Sequence, residues 1–135
     1  LGDVYKRQMK DNTLLITADT IVWLDGKVYG KPHDIADAKA MLQALSGKTH
    51  TVITGVTLTS LQKQISFAVS TEVTFAALGD DEIDYYVETY RPLDKAGAYG
   101  VQEWIGYIGV TGLKGSYYNV MGLPIQRLYT ELKKF

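Results

Sequence analysis

Residues 63–76 narrow the choice of fold more than any other stretch of the chain. Ile65, Phe67, Val69, Thr71, Val73 and Phe75 fall on one side of an extended backbone, and Gln64, Ser66, Ser70, Glu72 and Thr74 fall on the other. Side chains alternate with a period of two along a strand, so the pattern predicts a long sheet strand with one dry and one wet face. Residues 49–60 read as a second strand, with Val52, Val56 and Leu58 on one face and Thr54 among them. The two strands meet in a hairpin near residues 60–63. A pair this long must bury its dry face against another layer. With 46% hydrophobic and 21% charged residues in 135, the chain has the material for one such core in one domain.

A second hairpin precedes it. Residues 13–18 and 20–24 read as strands, and Asp25-Gly26 as the turn that returns through Lys27-Val28-Tyr29. Asp19 separates the apolar runs Leu14-Leu15-Ile16-Thr17-Ala18 and Ile21-Val22-Trp23-Leu24. A carboxylate inside or at the end of a buried β segment is costly unless it has a partner or a task. Asp19 is therefore a candidate general base or Mg²⁺ ligand, with a capping or turn acid as the structural alternative. Thr20 points to the opposite face of a regular strand. It can read a base edge, or simply be a β-branched strand residue. Lys31, between Gly30 and Pro32, can meet a phosphate oxygen as a point charge; a solvated turn lysine is the alternative. An acid and a base delivered by one hairpin suit a phosphoryl substrate that carries a metal ion.

The rest of the chain alternates helices with these strands. Asp34 can cap a helix to about Leu45, with Ile35, Ala38, Met41, Leu42 and Leu45 at helical spacing and Gly47 just beyond. Asp80-Asp81-Glu82 starts another, with the stripe Ile83, Tyr86, Val87 and Tyr90 and a stop at Arg91-Pro92. Residues 94–122 hold seven glycines, which signal tight turns or close backbone approach. Within them, 104–110 and 116–121 are expected as short strands. Pro124 can open a last helix with Ile125, Leu128, Tyr129 and Leu132 inward. The order ββαββαββα indicates an α/β fold.

The glycine region also offers chemistry. Asp94-Lys95-Ala96-Gly97-Ala98-Tyr99-Gly100-Val101-Gln102 combines an acid, a cation, a flexible loop and an amide. An amide both donates and accepts, so Gln102 is a candidate reader of a nucleobase edge; a purely structural loop is the alternative. Tyr117, Tyr118 and Asn119 can line a pocket or a subunit interface. His33 and His50 stand in polar stretches, are expected to be exposed, and are assigned no metal or acid–base role.

Bulk properties exclude several classes. A net charge of −1 argues against a broad nucleic-acid-binding surface. The absence of cysteine excludes disulfides, cysteine-bound zinc and thiol catalysis, and fits a cytosolic protein. No apolar run approaches the roughly 20 residues that span a bilayer, and the first residues show no apolar signal-peptide core.

Taken together, these segments resemble the Maf family of nucleoside triphosphate pyrophosphatases. The resemblance rests on Ala18-Asp19-Thr20, Gly30-Lys31-Pro32, Asp37-Ala38 with Met41-Leu42, Leu45-Ser46-Gly47 and His50 through Val56. It continues through Glu82-Ile83 with Tyr86, Asp94 through Gln102, and Gly115-Ser116-Tyr117 to Gly122-Leu123-Pro124. It spans about residues 12–135, in order and at family spacing. It implies an elongated mixed β-sheet flanked by helices, of the Maf and inosine-triphosphatase type, with the substrate in a cleft between two lobes. It implies hydrolysis of a nucleoside triphosphate to the monophosphate and pyrophosphate with a divalent cation, Mg²⁺ or Mn²⁺. Asp19 matches the family's proposed proton acceptor, Lys31 its phosphate-contacting lysine, and Thr20 and Gln102 two positions that set base choice. The Asp-Thr pair and the Ala-Tyr-Gly-x-Gln loop resemble the branch that prefers dTTP and UTP. A cytoplasmic homodimer is implied as well.

The chain also departs from the family pattern. Family members open with a strand and a Ser-x-x-Arg-Arg type loop that grips the triphosphate, and eighteen residues before Asp19 leave no room for it. The expectation is a domain over residues 9–135 without its N-terminal portion, preceded by a foreign or disordered segment at 1–8. Loss of that loop, with the strand and the acid that accompany it, is expected to nearly abolish turnover, and a nucleotide-binding or septum-related regulatory role with little or no catalysis is the alternative function.

Overall fold

The computed structural model describes residues 12–135. The expected boundary between a segment at 1–8 and a domain from residue 9 lies outside those residues. Strand β1 (Leu15–Leu24) is followed by β2 (Lys27–Tyr29), helix α1 (Ile35–Leu45), β3 (Thr49–Thr59) and β4 (Gln64–Phe75). Helix α2 (Asp80–Tyr90), a 3₁₀ turn (Ala96–Ala98), α3 (Trp104–Gly109), β5 (Val110–Lys114), α4 (Tyr117–Met121) and α5 (Ile125–Lys134) complete the order. The strands form one sheet in the order β2-β1-β3-β4-β5, every neighbour antiparallel. The α/β architecture expected from the sequence is present.

Local chemistry explains the elements that frame the site. Asp25 and Gly26 have φ of 50° and 80°, so a two-residue turn with both centres left-handed joins β1 to β2 and matches the strand twist. Asp34 Oδ1 accepts the Asp37 N–H at 2.7 Å and starts α1. At the head of α2, Glu82 Oε1 accepts the Gly79 N–H at 2.8 Å. Arg91, at φ 48°, ends that helix.

Helices cover one face of the sheet at its two ends. Val22, Val52, Val73 and Phe75 meet α1 through Leu42 and Leu45, α2 through Ile83 and Val87, and α3 through Ile105. Val56 and Leu58 meet α5 through Leu128, with Leu132 and Phe135 beside it. A polar seam runs between the two clusters. Thr54, Thr71 and Asn119 are buried there, and Asn119 Nδ2 donates to Val52 O, Val69 O and Thr71 Oγ1 at 3.2, 3.0 and 3.0 Å. These bonds pair the Asn119 amide nitrogen and the Thr71 hydroxyl, while Asn119 Oδ1 is buried with no partner among the described residues.

Four expectations need correction. Residues 104–109 and 117–121 are helices, not strands, and the strand lies between them. Ser116 caps α4, its Oγ accepting the Asn119 N–H at 3.2 Å. Asn119 lines neither pocket nor interface; it is the buried tie of the seam. On α5, Ile125 and Tyr129 are 51% and 60% exposed, because the cluster beneath is wide enough only for Leu128 and Leu132. His50 is 1% exposed rather than on the surface: it shares the inward phase of Val52 and Val56 on β3.

Candidate active site

β2 pairs only with Val22–Leu24, which leaves the earlier part of β1 as a sheet edge among the described residues. This edge changes the setting expected for Asp19. The carboxylate is exposed, not buried, because its cross-strand neighbours Gly55 and Ala68 raise no wall beside it. No ion pair of the described residues engages it. Thr20 points to the other face, where its Oγ1 lies 2.9 Å from Thr54 Oγ1. Thr54 Oγ1 also lies 3.4 Å from the Asn119 carbonyl; when Thr54 gives its proton there, Thr20 is the donor of the threonine pair. The remaining lone pairs of Thr20 Oγ1 are left to accept.

The second wall is the segment 94–103. The Gly97 N–H donates to Gly30 O at 3.1 Å, tying the loop to the residue before Lys31. Gly97 has φ 71°, and a Cβ there would stand 2.8 Å from Val22 Cγ2; the loop lies against β1 because residue 97 has no side chain. Lys95 Nζ donates to Asp94 Oδ1 at 3.2 Å. That bond, more than the smaller pull of Lys31, holds the Asp94 carboxyl below its usual range. Tyr99 is buried, and its hydroxyl shares a 2.6 Å hydrogen bond with His50 Nε2. Burial lowers the His50 pKa to about 4 and raises that of Tyr99.

Between the walls lies a cavity of about 230 Å³. Asp19, Thr20, Lys31, Asp94, Lys95 and Gln102 all line it, whereas Tyr117, Tyr118 and Asn119 do not. Val22, Val52, Tyr99, Val120 and Met121 add an apolar surface. Sequence reasoning missed this lining. For Tyr99 the signal was present, since it lies within the glycine loop three residues before Gln102. The cavity exceeds a benzene-sized void of ~150 Å³. It is therefore large enough to admit a planar ring the size of a nucleobase. Two cations and two carboxylates there suit an anion that arrives with a counter-cation.

The residues also decide what kind of metal site is feasible. Among the described residues no group of three or more His, Cys, Asp or Glu side chains is placed to hold an ion. Such a donor set fits Mg²⁺, which takes one or two carboxylates, keeps several waters and shares itself with substrate phosphates. It does not fit a resident all-protein cage.

Comparison with known proteins gives one consistent result. A family model for Maf-like proteins matches residues 2–135. A dTTP/UTP pyrophosphatase of Phocaeicola vulgatus is 67% identical over 130 residues, 96% of this chain and 67% of the relative. The same-named protein of Bacteroides thetaiotaomicron is 61% identical over 133 residues, 98% of this chain and 69% of the relative. That of Flavobacterium psychrophilum is 52% identical over 131 residues, 97% and 67% of the two chains. No described helix is long and apolar enough to cross a membrane.

Proposed function

Because this chain belongs to the Maf-like family, we propose that it hydrolyses dTTP and UTP to the nucleoside monophosphate and pyrophosphate. The observation that carries the assignment from the relatives to these residues is the convergence of Asp19, Thr20, Lys31, Asp94, Lys95 and Gln102 on one base-sized cavity.

Each residue then has a task. The base enters between the apolar lining and the edge of β1. Thymine and uracil present an N3–H donor flanked by two carbonyl acceptors. Thr20 Oγ1, when it gives its proton to Thr54, has lone pairs for that N–H, and the Gln102 amide can give or accept at a neighbouring carbonyl. Cytosine keeps the O2 acceptor but has an acceptor at N3 and a donor at C4, and so offers Thr20 Oγ1 no N3–H. The triphosphate lies at the rim, where Lys31 and Lys95 meet its oxygens as point charges. Water attacks at the α–β anhydride, a P–O bond forms, the bridging bond breaks and pyrophosphate leaves. Asp19 takes the proton from that water. A divalent cation held by Asp19 and phosphate oxygens would supply charge neutralisation. What supports a cytoplasmic site of action is the cysteine-free composition. What supports a homodimer is the exposed apolar surface of Tyr117, Tyr118, Met121, Ile125 and Tyr129.

The test is pyrophosphate release from dTTP, UTP, CTP and GTP with Mg²⁺, with the Asp19→Asn variant alongside. Turnover of dTTP and UTP that vanishes in the variant and on chelation is the expected result. Nucleotide binding without turnover in the unsubstituted chain would overturn the enzymatic reading and favour a regulatory one. Turnover that survives chelation would remove the metal from the scheme.

A further inference from the structure

Gln102 is exposed, yet the turn that carries it is fixed from below. Gly100, Val101, Gln102 and Glu103 form a tight turn closed by the Glu103 N–H donating to Gly100 O at 3.0 Å. Gly100 and Val101 are buried, so Gln102 is the one residue of the two central positions that faces out. Both ends of this turn reach the same atom. The Gly100 N–H donates to Tyr86 Oη at 3.0 Å, and Tyr86 Oη–H donates to Glu103 Oε1 at 2.6 Å. One hydroxyl on α2 therefore receives from the first residue of the turn and gives to the last.

The placement of Tyr86 is rigid. Its ring is 0% exposed and stacks on Tyr90 with centroids 5.0 Å apart. Glu103 is also the residue that opens α3, its carbonyl accepting the Gly106 N–H at 2.9 Å. Gly100 leaves the space that the clamp uses, since a Cβ there would stand 2.7 Å from Glu103 Oε1 and 3.0 Å from Lys95 Cε. Tyr99, one residue earlier, is tied separately to His50. The turn is thus held at two points within two residues, and only the Gln102 side chain is left to meet a ligand.

We propose that Tyr86 and Glu103 are positioning residues for base selection: their shared hydroxyl–carboxylate contact fixes the turn that presents the Gln102 amide to the nucleobase. The proposal rests on the reading of Gln102 as a base reader. A freely moving amide can turn either its oxygen or its nitrogen to the base and so loses discrimination. A fixed turn restricts the approach of the amide, and pre-organisation of this kind improves recognition without adding a contact.

Two measurements test it. The first is amide exchange at Gly100 and Gln102 in the full chain. The second is the ratio of dissociation constants for dTMP and dGMP, which probes the base site without needing turnover. Tyr86→Phe keeps the ring in its slot and deletes the hydroxyl. It is expected to speed Gly100 exchange about tenfold and to reduce the dTMP preference about tenfold, the scale of one net hydrogen bond. Glu103→Ala should do the same. Glu103→Gln keeps an acceptor for Tyr86 and should restore both values, which a general loss of packing would not allow.

Unchanged exchange in Tyr86→Phe overturns the clamp. So does a nucleotide ratio that Gln102→Ala shifts and Tyr86→Phe does not. If Gln102→Ala leaves the ratio alone while Tyr86→Phe shifts it together with the exchange rate, the clamp stands and the base-reading role of Gln102 falls. The two failures are therefore told apart.

Discussion

Asp19 stands exposed on the edge strand β1 and Lys31 just beyond β2, whereas Gln102 stands on a turn tied to the core through Tyr86, Glu103, Tyr99 and His50. The difference follows from what each wall must recognise. Phosphate oxygens carry full charge, and charge acts over several ångströms with little angular demand. A base edge is read by hydrogen bonds that weaken steeply with angle, so its reader must be held. The charged wall is therefore cheap to build and costly only in chemistry. The amide wall takes its precision from buried groups, and its integrity should track the stability of the fold.

The strongest way to break this contrast is Asp19→Asn. It removes a proton acceptor from an exposed edge and touches no buried contact. Turnover is expected to fall by about 10²–10⁴-fold, the usual contribution of a general base. The melting temperature should stay where it is. A large drop in stability would mean that the hairpin wall is as structural as the loop wall.

The opposite wall is probed by acid. His50 is neutral in the folded chain because burial lowers its pKa to about 4, against 6.5 when unfolded. Above pH 6.5 both states are neutral and the histidine adds no pH dependence. As pH falls from 6.5 towards 4, the unfolded state binds a proton that the folded state refuses, so folding stability falls. The full effect is about 3 kcal/mol for a shift of this size. Denaturant melts at pH 7.0, 5.5 and 4.5 would show it, and His50→Gln should flatten the curve. A curve for the unsubstituted chain already flat over that range would mean that burial does not hold His50 neutral.

Gly97→Ala presses the two walls together. A methyl group at a φ of 71°, 2.8 Å from Val22 Cγ2, must either shift the loop or push on β1. About 2 kcal/mol of stability should be lost, by overpacking and backbone strain together. Binding of dTMP should weaken with it, because Gly97 also holds the loop to Gly30. A stable variant with normal binding would show that the Gly97 tie is dispensable.

How much of this was legible beforehand depends on the kind of interaction. The alternation of Gln64–Phe75, the Asp25-Gly26 turn and the Asp34 cap are local, and each appears in the fold as read. The site residues were legible as residue types, and their convergence on one cavity was implied by family resemblance rather than by spacing. His50 was misread although its phase on β3, two residues before Val52, pointed inward. α3 was misread because Trp104, Ile105, Tyr107 and Ile108 favour strands. What overrides them is a close approach: a Cβ on Gly106 would fall 1.8 Å from Val101 O, so that helix turn closes only over glycine. The Tyr86–Glu103–Gly100 contact joins residues fourteen and seventeen apart through one hydroxyl, and no periodicity announces it.

The smallest effect sharpens the contrast most, because Thr20 belongs to the hairpin by sequence and to the buried seam by hydrogen bonding. When its hydroxyl gives its proton to Thr54, whose own proton then goes to the Asn119 carbonyl, the acceptor offered to the cavity is set by a residue of α4. Thr20→Val keeps the β-branched shape and the strand, and leaves Thr54 its bond to Asn119. The lone pairs facing the base are lost, together with the 2.9 Å bond to Thr54. Preference for UTP over CTP, measured as the ratio of kcat/KM, should fall about tenfold, near the net worth of one hydrogen bond. Stability should fall by about 1 kcal/mol, the net worth of the lost bond to the buried Thr54, since a methyl group fills the vacated volume. Thr54→Val should give a milder loss of the same preference, since it frees the Thr20 proton to turn toward the cavity and offer a donor as well as an acceptor. If Thr54→Val leaves the UTP/CTP ratio intact while Thr20→Val lowers it, the direction of the Thr20 proton is irrelevant to base choice. The charged wall and the seam would then work independently.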